Sequence, residues 1–149
     1  MSISRTEGVF VLTPVLVFAP ILAGCFSRGP EIFPVKGVVV YEEDNTPLSS
    51  EAMIEFEAMD DPWLGRNARG LVKEDGTFIM TTVKRYDGAV AGRHLVVVSD
   101  PYQGGDNFEG EGPKSPKIHK NFATCSTSGL EVTVEEKPND LTITVTRPE

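Results

Sequence analysis

EAMIEFEA, residues 51–58, decides the fold. Ala52, Ile54, Phe56 and Ala58 stand at every second position, with Met53, Glu55 and Glu57 between them. Successive side chains of a strand point to opposite faces, so this spacing lays an apolar row on one face and carboxylates on the other. Outward from it the same period returns twice. Leu130, Val132 and Val134 alternate with Glu131, Thr133 and Glu135, and Leu141, Ile143 and Val145 alternate with Thr142, Thr144 and Thr146. Val38–Tyr41 and Leu95–Val98 are instead apolar at consecutive positions, the pattern of strands covered on both sides and placed in mid-sheet.

Turn chemistry separates these segments. VKEDGTFIM sets Asp75 and Gly76 between Val72 and Phe78, which predicts a tight hairpin. RYDGAV repeats the device at Asp87 and Gly88, and EKPND turns the chain between the last two strands. Outside the N-terminal segment no window of a dozen residues carries the 3.6 period of an amphipathic helix. The sequence therefore predicts an all-β fold, a single sandwich of about seven strands spaced near 10 residues apart.

VKGVVVYEEDNTPLSSEAMIEF, GLVKEDGTFIMTT and GAVAGRHLVVV follow one another in this chain, and Thr127–Val134 reads TSGLEVTV. These stretches resemble the carboxypeptidase regulatory-like, transthyretin-type β-sandwich, an immunoglobulin-like architecture, and are most similar to that domain in small bacterial lipoproteins. The resemblance spans about residues 35–147. The chain departs from the motif at Asn45 and Thr46 before Pro47-Leu48, at Ala91 and at His94. The resemblance implies a domain over 35–149 that is a non-catalytic module tethered at a cell surface, with no assigned ligand.

The 149 residues suffice for one domain, and 40% hydrophobic with 24% charged residues suits a folded chain. The net charge of −8, with Lys and Arg scattered singly, excludes nucleic acid as a partner. The start of the chain has its own logic. Met1–Gly8 is short and slightly positive; Val9–Ile21 is apolar but broken by Pro14 and Pro20, too short to span about 30 Å of hydrocarbon and suited to a cleaved secretory leader. Leu22, Ala23, Gly24 and Cys25 follow and resemble the lipobox of bacterial lipoproteins. That resemblance implies a signal peptide over 1–24, cleavage between Gly24 and Cys25, a diacylglyceryl thioether on Cys25 and an acylated new amino terminus, palmitate being a usual chain. It places the protein outside the cytoplasm, anchored to a bacterial membrane and facing the periplasm or cell exterior. Two or three acyl chains give a lasting anchor where one does not. Residues 25–34 form the lipidated tether; Ile32 and Phe33 can graze the lipid or begin packing on the domain. With Cys25 alkylated, Cys125 has no disulfide partner, and with no base beside it in sequence it reads as a half-buried thiol.

Candidate function falls on two loops. MDDPWLGRN, residues 59–67, holds the single Trp of the chain, Trp63, with Asp60, Asp61 and Arg66. An indole beside carboxylates and a guanidinium is a common grip on a sugar ring, and equally a cap on a sandwich edge. Residues 99–128 carry no period. Within them DNFEGEG groups Asp106, Glu109 and Glu111 without the ligand spacing of a calcium loop, and KSPKIHK adds Lys114, Lys117 and Lys120. Intradiol dioxygenases resemble this sandwich and hold iron with two Tyr and two His, but His94 and His119 stand apart and Tyr41, Tyr86 and Tyr102 lie in or near turns. The YRGS tail of hydroxyisourate hydrolases is replaced by TVTRPE. Paired His or Cys ligands for zinc are missing as well. The reading is a non-enzymatic interaction or scaffold module without metal or cofactor, whose partner is the membrane through the anchor and an envelope protein or glycan. The alternative is a carbohydrate- or peptide-binding module built on Trp63 and the 99–128 loop.

Overall fold

The structure is a computed structural model that describes residues 29–100 and 117–149. Cys25, Gly24, the leader, and Tyr102, Asp106, Glu109, Glu111 and Lys114 of the long loop lie outside these described residues. The strands are β1 (Ile32–Phe33), β2 (Val35–Tyr41), β3 (Ala52–Ala58), β4 (Asn67–Val72), β5 (Thr77–Ile79), β6 (Ala89–Val90), β7 (Gly92–Ser99), β8 (Leu130–Val134) and β9 (Asn139–Val145). They form a three-stranded sheet in the order β5-β2-β9, a four-stranded sheet in the order β4-β3-β7-β8, and a small β1-β6 pair. The two larger sheets face one another as a seven-stranded sandwich, the all-β architecture expected from the sequence. Among the described residues, no helix is long and apolar enough to cross a membrane.

The period-two rows explain the core. Ala52, Ile54, Phe56 and Ala58 are all buried, while Met53 on the opposite face is exposed. From the facing sheet, Val35, Val39 and Tyr41 of β2, Phe78 of β5 and Ile143 and Val145 of β9 join the same cluster, with Phe56 and Phe78 meeting edge to face at 6.3 Å. In β8 only Val134 is fully buried; Leu130 and Val132 are half-buried because this strand is at an edge and pairs with β7 alone. β2 and β7 occupy central positions, as their apolar runs predict. Burial in β7 nevertheless alternates: His94, Val96 and Val98 point inward, and Leu95 and Val97 are half-buried on the outer face. A 3-10 turn (Lys120–Ala123) and a single-turn helix α1 (Cys125–Ser128) pack against β7, and the Ser128 hydroxyl donates to the Val96 carbonyl.

Of the two Asp-Gly turns, the first is a hairpin and the second is not. At Asp75-Gly76 the chain does reverse, Lys73 N–H donating to the Thr77 carbonyl at 2.9 Å and Asp75 accepting from the Thr77 amide at 3.0 Å. Arg69 and Thr81 exchange both main-chain bonds at 2.8 Å, so the hairpin closes again beyond the turn, while β4 and β5 belong to different sheets and the turn also makes a corner of the sandwich. The residues 135–138 make a second corner between β8 and β9. Asp87-Gly88 is not a hairpin turn. The Asp87 carboxylate accepts from the amides of Thr82, Val83 and Lys84 at 2.7, 3.0 and 2.7 Å, closing the 82–88 loop on itself. Gly88 has φ +107°, and a Cβ there would lie 1.8 Å from the Phe33 carbonyl oxygen, so β1 lies directly on it.

The strand directions sort the loops by end. β3 finishes where β7 begins (Ala58 opposite His94), β8 finishes there too (Val134 opposite Gly92), and β2 and β9 both start there beside β1 and β6. Loops 59–66, 82–88 and 135–138 therefore share one end of the sandwich with the entering chain. The 42–51 loop, the 73–76 corner and residues 146–149 share the other.

Candidate functional site

The 59–66 loop is a built turn. Ala58 N–H donates to the Arg66 carbonyl at 3.0 Å and Gly65 N–H returns a bond to the Ala58 carbonyl at 2.8 Å, closing the loop at its base. Within it Trp63 N–H donates to the Asp60 carbonyl (3.0 Å) and Arg66 N–H to the Trp63 carbonyl (2.9 Å); the Asp61-Pro62 peptide is cis. Trp63, half-buried, carries the Arg66 guanidinium 5.7 Å from its ring centroid. Pro62, Trp63, Leu64, Gly65, Arg66 and Asn67 line a shallow, open groove of about 470 Å³.

The four residues singled out in this loop part into two roles. Asp60 faces back to the sandwich: its carboxylate accepts from the Arg93 main-chain amide at 2.7 Å and from the Arg93 guanidinium at 3.2 and 2.9 Å. The amide bond first, then the guanidinium, hold the Asp60 carboxyl below the usual carboxylate range. Trp63 and Arg66 stack on each other at the surface, and Asp61 is exposed beside them. The groove therefore offers an indole face, a guanidinium and one outward carboxylate. Arg93 is the residue the sequence does not flag, since 33 positions separate it from Asp60.

The opposite end carries a second constellation absent from the sequence reading. Arg147 lies 3.8 Å over the Tyr41 ring, donates to Glu43 (3.0 Å from its amide, 3.2 Å from Nη1), to Asp44 (3.1 Å) and to the Thr46 hydroxyl (3.0 Å). The Tyr41 hydroxyl donates to the Lys117 carbonyl at 3.1 Å, and burial raises its pKa. A groove of about 390 Å³ runs along this clasp, whose polar groups fasten the chain end to the 42–51 loop.

His94, His119 and Cys125 are each engaged within the fold. His94 is 1% exposed, its ring 5.9 Å from Phe56 and its Nδ1 3.1 Å from the Gly92 carbonyl; burial lowers its pKa. Its Nε2 is buried without a hydrogen-bond partner among the described residues. His119 accepts the Asn121 amide at 3.3 Å, capping the 3-10 turn. The half-buried Cys125 thiol donates to Glu57 at 3.2 Å, and burial followed by that carboxylate raises its pKa, which disfavours the thiolate. Among the described residues, no three His, Cys, Asp or Glu converge as a metal site would require. Comparison of the chain with protein-family models, with curated proteins and with solved structures finds no match.

Proposed function

We propose that this chain is a lipid-anchored β-sandwich of the bacterial cell envelope, related to the carboxypeptidase regulatory-like domains, that works by holding or contacting a partner and not by catalysis. The observation that carries it is the Leu22-Ala23-Gly24-Cys25 stretch behind an apolar run, only six residues ahead of Ile32, where the chain enters the sandwich. An acylated Cys25 leaves those six residues a reach of at most about 21 Å, which keeps the domain at the membrane face. The polar groups of the domain add support. Asp60 is paired with Arg93, Cys125 with Glu57, and Arg147 with Glu43 and Asp44, so each is engaged within the domain. The test is intact-mass measurement of the mature chain from its native membrane. The expected species begins at Cys25 with the mass of a diacylglyceryl group and an amide-linked acyl chain. A species retaining residues 1–24, or one with an unmodified thiol at 25, overturns the reading; crosslinking in the intact envelope then identifies the partner.

The 59–67 groove favours a second reading, a carbohydrate- or peptide-binding module. Its half-buried indole, the Arg66 guanidinium over it and the exposed Asp61 carboxylate make the usual platform for a sugar ring. Titration with cell-wall glycans, followed by Trp63 emission, gives a saturable change under this reading and none under a scaffold role. Trp63→Ala abolishes binding, measured calorimetrically, while the chain stays folded.

A further inference from the structure

Among the described residues, the end of the sandwich at which the chain enters carries the most exposed large apolar side chains. Leu64 in the 59–66 loop is 69% exposed; Val83 and Tyr86 in the 82–88 loop are 63% and 54% exposed. Each loop repeats one device. An aliphatic tip stands beside an aromatic ring that carries a guanidinium: Arg66 at 5.7 Å from the Trp63 centroid, Arg85 at 4.7 Å from that of Tyr86, with an Arg85 bond to the Tyr86 hydroxyl at 2.9 Å. An amphipathic ring with a guanidinium over its face is side-chain chemistry suited to a bilayer interface, where the ring sits at headgroup depth and the guanidinium reaches phosphate.

The geometry points to this face, formed by Trp63, Leu64, Arg66, Val83, Arg85 and Tyr86, as a membrane-docking surface that seats the sandwich on the interfacial zone of the bilayer holding its anchor. The inference rests on the proposed acylation of Cys25. The entering strand fixes which end faces the lipid: β1 pairs with β6 at Ile32–Val90 and Phe33–Ala89, and the Met80 amide bonds the Val35 carbonyl at 2.9 Å, so the chain arrives alongside the 82–88 loop. The six residues between Cys25 and Ile32 are too short to turn the opposite end toward the membrane. Carboxylates share this end, Glu31, Asp61, Glu135 and Glu136, and are matched by Arg66, Lys84, Arg85 and Lys137. The surface therefore suits zwitterionic headgroups through its apolar tips and is not a polybasic patch for anionic lipid.

Trp63 is the single Trp of the chain, so its emission reports on this face alone. The mature chain is reconstituted in phosphatidylcholine vesicles, with and without bromine on the acyl chains, and floated on a density gradient. Docking predicts that the protein floats, that brominated lipid quenches Trp63 at least twofold, and that aqueous iodide loses at least threefold of its quenching. Leu64→Asp with Val83→Asp, both at exposed positions, restores iodide quenching while the chain still floats. Leu71→Asp, on the outer sheet face and 55% exposed, leaves docking unchanged. A chain that floats with Trp63 insensitive to brominated lipid overturns the docking surface and leaves the anchor standing; a chain that does not float overturns both.

Discussion

Gly88 is where a single methyl group tests the packing of the entering chain. In Gly88→Ala the new Cβ stands 1.8 Å from the Phe33 carbonyl oxygen, 2.6 Å from the Phe33 carbonyl carbon and 2.8 Å from the Pro34 Cα, whereas real Cβ atoms essentially never come within 3.0 Å. Gly88 is itself held, its amide on the Met80 carbonyl at 3.1 Å and its carbonyl on the Thr82 hydroxyl at 2.7 Å. The least costly relief is for β1 to lift from β6. That forfeits the Ile32–Val90 and Phe33–Ala89 pairing, a net of about 1 kcal/mol per hydrogen bond, and half-burial of two apolar side chains, about 1 kcal/mol each. A residue with a side chain at φ +107° adds about 1 kcal/mol. The expected destabilisation is about 4–5 kcal/mol. Gly65→Ala is the control: φ there is +73°, and no atom lies within 4 Å of its added Cβ, so only the conformational strain of about 1 kcal/mol remains. Urea unfolding of the mature chain, followed by Trp63 emission, reads both. With a slope near 2 kcal/mol per molar, Gly88→Ala lowers the midpoint by more than about 1 M and Gly65→Ala by about 0.5 M. Equal midpoints for the two variants would refute the reasoning, since the clash is the difference between them.

His94 titrates between the folded and unfolded chains. Burial lowers its folded pKa below the ordinary value near 6.5, so the unfolded chain takes up the proton first; stability is complete above about pH 6.5 and falls as pH drops toward the folded pKa. His94→Phe removes up to about 1.4 kcal/mol per pH unit of that slope, read from urea midpoints at pH 7.5 and 5.5; an unchanged slope sinks the assignment. Cys125 is expected to react with iodoacetamide at pH 7.5 about tenfold more slowly in the folded chain than in urea, and Glu57→Gln to narrow the gap. Thiol titration in urea finds one reactive group if Cys25 is acylated and two if it is not. Asp60→Asn breaks the Arg93 pair at the surface, so the midpoint stays while amide exchange at Trp63 and Gly65 accelerates; unaltered exchange shows that this pair does not set the loop.

The strands were legible because burial on one face imposes a period that sequence records directly. Ala52–Ala58 needs no partner to be recognised, and Val38–Tyr41 and Leu95–Val98 announce their central places by lacking polar gaps. Sheet membership was hidden. Asp75-Gly76 and the 135–138 turn have hairpin chemistry, yet each joins strands of opposite sheets, because a corner and a hairpin need the same backbone angles and differ only in what the strands meet afterward. β1 and β6 are two residues each and carry no readable period. At the candidate site the composition of 59–67 was visible, but the assignment of Asp60 to Arg93 depends on β3 and β7 being neighbours. The Arg147 clasp likewise joins residues about 100 positions apart. The exposed tips Leu64, Val83 and Tyr86 belong to one surface only because the topology folds two loops to the same end.

β2 takes its full-length neighbour from the last strand, in parallel, with Val35 opposite Asn139 and Tyr41 opposite Val145. Until residue 139 is available, during synthesis or after trimming, the strand pairing of β2 is limited to the three residues of β5 and one bridge from Val40 to Pro47. Closing a loop of roughly 100 residues opposes the pairing by about 4 kcal/mol of chain entropy, so the three-stranded sheet is completed late. Residues 139–149 thus act as a latch for β2, and an affinity tag or protease acting on them bears on that strand as much as on β9.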